Sequence, residues 1–334
     1  MVYRVEISIL IKRRRQILEE RMAGFLLSFN VVFPMCILMA LGYALKRGIH
    51  ITDSTLKQIN KMIFTIFLPV VLFKNIYTSD FVTDVNPLLL LFGAAGSCVT
   101  FIILYFLMPH FVKSRSDAAT LVQGIFRSNN VLFGLTIVGA IYPEGEVLGM
   151  VSLLAALTVF IYNTLVVFLF ESYRDSTMNV KSVIIGVAKN PMVIGIFIGI
   201  VLLFSGIKLP DMLMDVVNDV GGIATPLALI VLGGTFTFNG FNRYRYKLMA
   251  AALGKLIVIP ALVLPVAVLA GFRGPELVAL MALFGSPTAV ASFTMSDQMG
   301  GNGELAALII VVTSIGSMLT LFAWTFIGSL CGVI

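Results

Sequence analysis

Apolar runs, each near the length of a bilayer crossing, alternate along the chain with short polar segments. At about 20 apolar residues per crossing, the pattern predicts ten spans, near 25–45, 61–78, 87–110, 118–141, 147–171, 183–206, 213–236, 248–271, 276–298 and 304–330. The joining segments carry breakers and charge, as in Lys46-Arg47-Gly48, Tyr142-Pro143-Glu144-Gly145-Glu146 and Phe272-Arg273-Gly274-Pro275. The expectation is an all-α polytopic membrane protein with no inserted soluble domain.

Two spans are interrupted. Arg127-Ser128-Asn129-Asn130 falls in the fourth and Ser286-Pro287-Thr288 in the ninth. An Arg near the bilayer midplane costs from about 3 to over 10 kcal/mol, and buried amides and hydroxyls require partners. Such residues point to a use. Pro287 lacks an N–H and its ring clashes with the preceding turn, so the ninth span should break near Gly285-Ser286. In the fourth span Ser128, Asn129 and Asn130 can pair with freed backbone groups instead.

The interruptions belong to a repeat. Pro34-Met35, Ile37, Gly42 and Pro69 recur as Pro191-Met192, Ile194, Gly199 and Pro226, all at an offset of 157. Gly96, Phe126 and Ser128 recur as Gly254, Phe284 and Ser286 at 158. The repeat, 25–175 and 183–334, holds five spans per copy, so the second copy enters from the opposite side. That is an inverted five-plus-five topology, the usual basis of alternating access, with a site near the midplane at broken helices.

Composition sharpens the class. The chain is 59% hydrophobic and 12% charged, with mean hydropathy +1.01, which excludes a soluble domain. The net charge of +6 lies scattered over short loops, which argues against nucleic acid as a partner and fits membrane orientation. Lys46, Arg47, Lys57, Lys61, Lys113, Arg115, Arg174, Lys181, Arg243, Arg245 and Lys247 follow odd-numbered spans; the opposite loops hold Lys74, Lys208 and Arg273. Odd loops are therefore expected in the cytoplasm and both termini outside. The basic tail at 1–22, with Lys12-Arg13-Arg14-Arg15, disagrees. It reads as a start-site artefact, with Met22 opening the protein, or as an interfacial helix. Cys36, Cys98 and Cys331 are far apart and only His50 and His110 are present, so neither a metal nor any other cofactor is expected. The chain has no HExxH, GxSxG or P-loop pattern, which argues against an enzyme or an ATP-driven pump.

Two half-helices meeting at the breaks would aim positive N-terminal ends into a common cavity. With Ser128, Asn129, Asn130, Ser286 and Thr288 as polar groups and Arg127 as a cation, that cavity suits a carboxylate. Arg127 either lines it or pairs as a structural cation. Lys255 either supplies charge to it or snorkels to the cytoplasmic side. Asn163 is a cavity wall or a helix–helix hydrogen bond. Gly195-x-x-x-Gly199 reads as close helix packing.

These residues resemble the auxin efflux carrier family, in its bacterial branch of malate and malonate permeases, over nearly the whole chain from about Met22. The likeness rests on Phe67-Leu68-Pro69-Val70-Val71-Leu72-Phe73, Phe126-Arg127-Ser128-Asn129 with Gly134, Phe168-Leu169-Phe170-Glu171, Lys189-Asn190-Pro191, Thr225-Pro226-Leu227-Ala228-Leu229 with Leu232-Gly233, and Ser286-Pro287-Thr288-Ala289-Val290-Ala291-Ser292. It implies a bile-acid-symporter-like fold with a scaffold of spans 1, 2, 6 and 7 and a transport domain of spans 3–5 and 8–10. It further implies crossing spans 4 and 9 at the substrate site, elevator movement, and a homodimer through the scaffold. Asn129 matches the family's span 4 Asn and Pro287 its crossing proline. Where the family has Gly-x-Pro, this chain has Gly134-Leu135-Thr136, so that the fourth span breaks less sharply or Thr136 offers a hydroxyl in the proline's place.

The expected function is secondary transport of small organic anions, mono- or dicarboxylates, across a bacterial cytoplasmic membrane. The alternative is a non-transporting sensor or lipid-binding module on a carrier fold. Apart from Glu276 at the very start of the ninth span, no acid precedes Asp297 in the two broken spans, which leans toward uniport or exchange.

Overall fold

The computed structural model describes residues 32–78, 86–142, 145–174, 180–237 and 239–334; the basic tail lies outside them. The described chain is nearly all helix. Helix α1 covers 32–48. α2 runs through Asp53–Met62, a π turn at Ile63–Phe67 and Leu68–Tyr77. α3 is Pro87–Phe111, α4 Arg115–Phe126, α5 Asn130–Ile141 and α6 Gly145–Arg174. α7 is Val180–Lys189, α8 Pro191–Ser205 and α9 Asp211–Thr235. α10 joins Asn239–Leu253, a second π turn at Gly254–Val258 and Ile259–Leu269. α11 is Gly274–Gly285, α12 Ala291–Gln298 and α13 Gly303–Leu330.

Among the described residues, six stretches are long and apolar enough to cross a membrane: Asp53–Tyr77, Pro87–Phe111, Met150–Tyr173, Asp211–Thr235, Gly240–Leu269 and Gly303–Leu330. Large apolar side chains such as Phe204, Met212 and Leu269 stand more than three-quarters exposed, a surface that lipid tolerates and water does not.

Three breaks decide the shape. The expected span at 183–206 is divided at Asn190, whose side chain accepts from the Met192 N–H at 2.9 Å and caps α8, while Pro191 opens that helix without a donor to satisfy. The fourth and ninth expected spans are each divided at the polar residues that mark them. The first of these breaks without a proline: its helix stops at Phe126 and restarts at Asn130.

The π turns have a chemical cause. Pro260 has no N–H for the carbonyl of Leu256, four residues back, and the Trp324 indole N–H from α13 donates to that carbonyl at 2.9 Å. Pro69 follows the π turn of α2 in the same way.

Glycines set the closest approaches. A Cβ on Gly42 of α1 would fall on the Ile230 carbonyl of α9, and one on Gly233 of α9 on the Met39 carbonyl of α1. Gly195 and Gly199 of α8 meet the carbonyls of Pro69 and Phe73 in α2, the close packing read from Gly-x-x-x-Gly. We expect Gly233→Leu to cost more than the roughly 1–3 kcal/mol typical of overpacking, because backbone rather than a side chain is in the way. A melting curve in detergent and the monodisperse yield on gel filtration measure it; a wild-type profile would refute that packing.

Candidate functional site

Helices α4 and α11 enter the protein from opposite ends and stop at facing breaks. Arg127 (φ −82°, ψ 121°) and Ser286 (φ −64°, ψ 152°) are extended. Ser128 and Thr288 form an isolated antiparallel bridge, and the Asn129 N–H donates to the Pro287 carbonyl at 2.8 Å. Pro287, having no donor, contributes only that carbonyl. The chains then turn into α5, which starts two residues after Ser128, and α12, which starts three residues after Thr288.

Hydroxyls complete the crossing from behind. Thr288 Oγ1 donates to the Gly124 carbonyl at 2.6 Å, and its N–H donates to Thr313 Oγ1 at 3.2 Å. Ser286 Oγ donates back to the Ala282 carbonyl, which also accepts the Ser286 N–H at 3.2 Å, so one carbonyl takes both donors of the residue at the break. Asn130 Nδ2 donates to Thr158 Oγ1 at 2.6 Å.

A cavity of about 200 Å³ opens against the crossing. Arg127, Ser128, Asn129 and Asn130 form its polar wall, Asn163 and Tyr162 of α6 the side, and Asn75 and Thr225 the far wall among apolar residues of α2 and α9. The first residues of α5 (Asn130, Val131) and of α12 (Ala291) border it, so both helix N-termini do face one space. Among the described residues that line it, none is an acid.

Arg127 is 5% exposed. Its guanidinium donates to Asn163 Oδ1 at 2.9 Å and lies against the Met295 sulfur. Asn163 thus borders the cavity and also accepts from the residue at the break. Lys255 does not snorkel. It is fully buried in the π turn of α10, and its ammonium donates to Ser128 Oγ from behind the cavity wall. Among the described residues neither cation has an acid partner. Asn129 Nδ2 and Asn130 Oδ1 are buried with no hydrogen-bond partner among the described residues, a state that costs roughly 1–3 kcal/mol for each such group.

The sequence-derived candidates thus divide. Arg127, Ser128, Asn129, Asn130 and Asn163 line the cavity; Lys255, Ser286, Pro287 and Thr288 support it from behind. Thr136 lies on α5, its side chain outside the described residues. Asn75, Tyr162 and Thr225 were missed; Thr225 directly precedes Pro226, and a polar residue beside an intramembrane proline was the available signal.

A polar, acid-free cavity between broken helices, in a chain of membrane-length helices, marks the class of membrane transporters. The chain belongs to the family described as Membrane transport protein, whose model matches residues 27–325. It is an integral membrane transporter and not an enzyme. It is similar to a Rhizobium meliloti (strain 1021) protein named "Putative malonate transporter", with 22% identity over 87% of this chain and 92% of the relative. It is equally similar, at 22% identity over 90% of this chain and 99% of the relative, to an uncharacterized transporter of Methanocaldococcus jannaschii.

Proposed function

We propose that the chain is a secondary carrier of small organic anions, mono- or dicarboxylates, in the cytoplasmic membrane of a bacterium, and that the cavity at the crossing holds the anion. The observation that carries this is the unpartnered amide of Asn129 beside Arg127, at a point where two helix N-termini converge and no acid competes. An anion's oxygens supply the acceptors these donors lack. The name of the Rhizobium relative supports the same chemistry.

Two kinds of pairing support the inverted repeat. The offset of 158 carries Asn129 onto Pro287, the two residues that bond each other at the crossing. The offset of 157 carries Gly42 onto Gly199 and Phe73 onto Ile230, so the contact of Gly42 with Ile230 has its mate in that of Gly199 with Phe73. On this reading α1, α2, α7, α8 and α9 form a scaffold, and the remaining helices form a body that travels as an elevator past it, in a homodimer joined through the scaffold. Basic loops face the cytoplasm and both termini face outward.

A thermal-shift screen of the purified protein over organic acids, followed by counterflow in proteoliposomes, tests the reading. Carboxylates that bind are expected to raise the melting temperature, with a stabilisation that grows with the logarithm of concentration above Kd and reaches about 2.7 kcal/mol at a hundred times Kd, and the same acids to exchange across the membrane. Stabilisation without flux would favour the sensor alternative.

A further inference from the structure

A second, larger cavity of about 630 Å³ lies beyond the first, bordered by Phe64, Glu171, Ile185, Lys189, Asn190 and Gln298 among others. It uses the same walls. On α6, Asn163 borders the crossing cavity and Glu171 the larger one, with Val167 midway on the same i, i+4 row. On α12, Ala291 borders the first and Met299 lies at the second, with Met295 between. On α2, Leu68 borders the first and Phe64 the second; at α8, Met192 and Pro191 do the same. At about 1.5 Å per residue the two spaces are stacked about 12 Å apart along α6. Val167, Met192 and Met295, the residues between or at the junction, are each fully buried. The larger cavity lies toward the end of α6 that closes on Arg174, and Lys189, the last residue of α7, borders it. Its acid, Glu171, is already engaged, with its carboxylate against Gly186.

We propose that the larger cavity is the cytoplasmic mouth of the anion path. Lys189 attracts the carboxylate there, and Val167, Met192 and Met295 form an apolar plug that seals the mouth from the crossing. The plug touches the site directly, because the Met295 sulfur lies on the Arg127 guanidinium; filling the site with an anion competes with that contact. This inference rests on the carrier reading above.

The test uses protein whose Cys36, Cys98 and Cys331 are replaced by Ser, with Ile185→Cys on the cavity wall and Ile184→Cys, which does not line it, as the control. Each is reconstituted and assayed for malonate counterflow before and after labelling from the basic-loop side with impermeant thiosulfonates, one anionic and one cationic. Labelling Ile185→Cys is expected to lower its own rate at least tenfold, with faster reaction of the anionic reagent, a preference that Lys189→Gln removes. Labelling Ile184→Cys changes nothing. If the unlabelled proteins exchange malonate and stoichiometric labelling at Ile185→Cys leaves the rate intact, the mouth is elsewhere and the carrier reading stands. If no unlabelled variant, nor the wild type, moves any organic acid that stabilises it, the carrier reading fails and takes this one with it.

Discussion

Arg127→Ala and Asn129→Ala each abolish anion counterflow in proteoliposomes while the purified proteins keep their gel-filtration profile. Arg127 offers the cavity a charge, and its loss removes a charge-assisted hydrogen bond of about 1.5–3 kcal/mol, roughly 10- to 150-fold in occupancy. Asn129 offers an amide that bonds nothing within the described protein, so removing it costs the fold little and the bound anion much. Its backbone N–H, which holds the crossing to Pro287, is untouched by the substitution. That separation makes Asn129→Ala the cleaner of the two. Arg127→Ala also frees Asn163 Oδ1, and Arg127→Lys, which keeps the charge without the planar fork, should recover part of the rate. Flux like that of the wild type in both alanine variants removes the cavity from the transport path.

Lys255→Met raises the melting temperature and lowers flux. A buried ammonium whose described partner is a single hydroxyl is costly, and an apolar side chain of similar length that fills the same space stabilises by about 1–4 kcal/mol in comparable cases. The ammonium donates to Ser128 Oγ. A hydroxyl that accepts from behind turns its own proton toward the cavity, and the charge behind it adds to the field an anion meets. Stability and transport therefore pull in opposite directions at this position, as is common where a site is kept at some expense to the fold. A lowered melting temperature would instead make Lys255 a pin between α10 and the crossing, with no part in recognition.

Hydropathy located most helix ends because lipid leaves the chain few choices: runs of apolar residues end where charge and proline cluster. The exceptions are the starts of α2 and α10, Asp53 and Asn239, eight and nine residues ahead of the apolar runs at 61 and 248, because their first turns are polar. The breaks at Arg127–Asn130 and Ser286–Thr288 were legible for the same reason, since polar residues in hydrocarbon stand out. The repeat offset also named which residues meet. What it could not supply was the far side of each contact. Whether Lys255 snorkels or is buried depends on Ser128, distant in the sequence and visible only once α4 packs on α10. The split at Asn190 was not read within the expected span at 183–206, because hydropathy runs on unbroken across it even though Asn190-Pro191 is a helix-opening pair. Asn75 and Tyr162 sit in otherwise apolar helical runs, so nothing in their local pattern distinguishes a cavity wall from packing; only Thr225, beside Pro226, carried a signal. The π turns are invisible in hydropathy; the prolines at 69 and 260 were their trace.

The pairing of Asn129 with Pro287 bears on how the protein is made. α4 and α11 have twelve residues each, about 18 Å of helix against about 30 Å of hydrocarbon. Each therefore depends on a neighbour to finish its passage through the bilayer. Asn163 and Thr158 of the first half meet Arg127 and Asn130, but the Pro287 carbonyl, the Lys255 ammonium and the Met295 sulfur that also hold the first break are encoded in the second half of the chain. Until the ribosome has delivered them, the Asn129 N–H and the Ser128 hydroxyl lack the partners that close the crossing. The nascent first half is thus an unfinished membrane protein in the thermodynamic sense, completed only when residues more than a hundred positions later arrive.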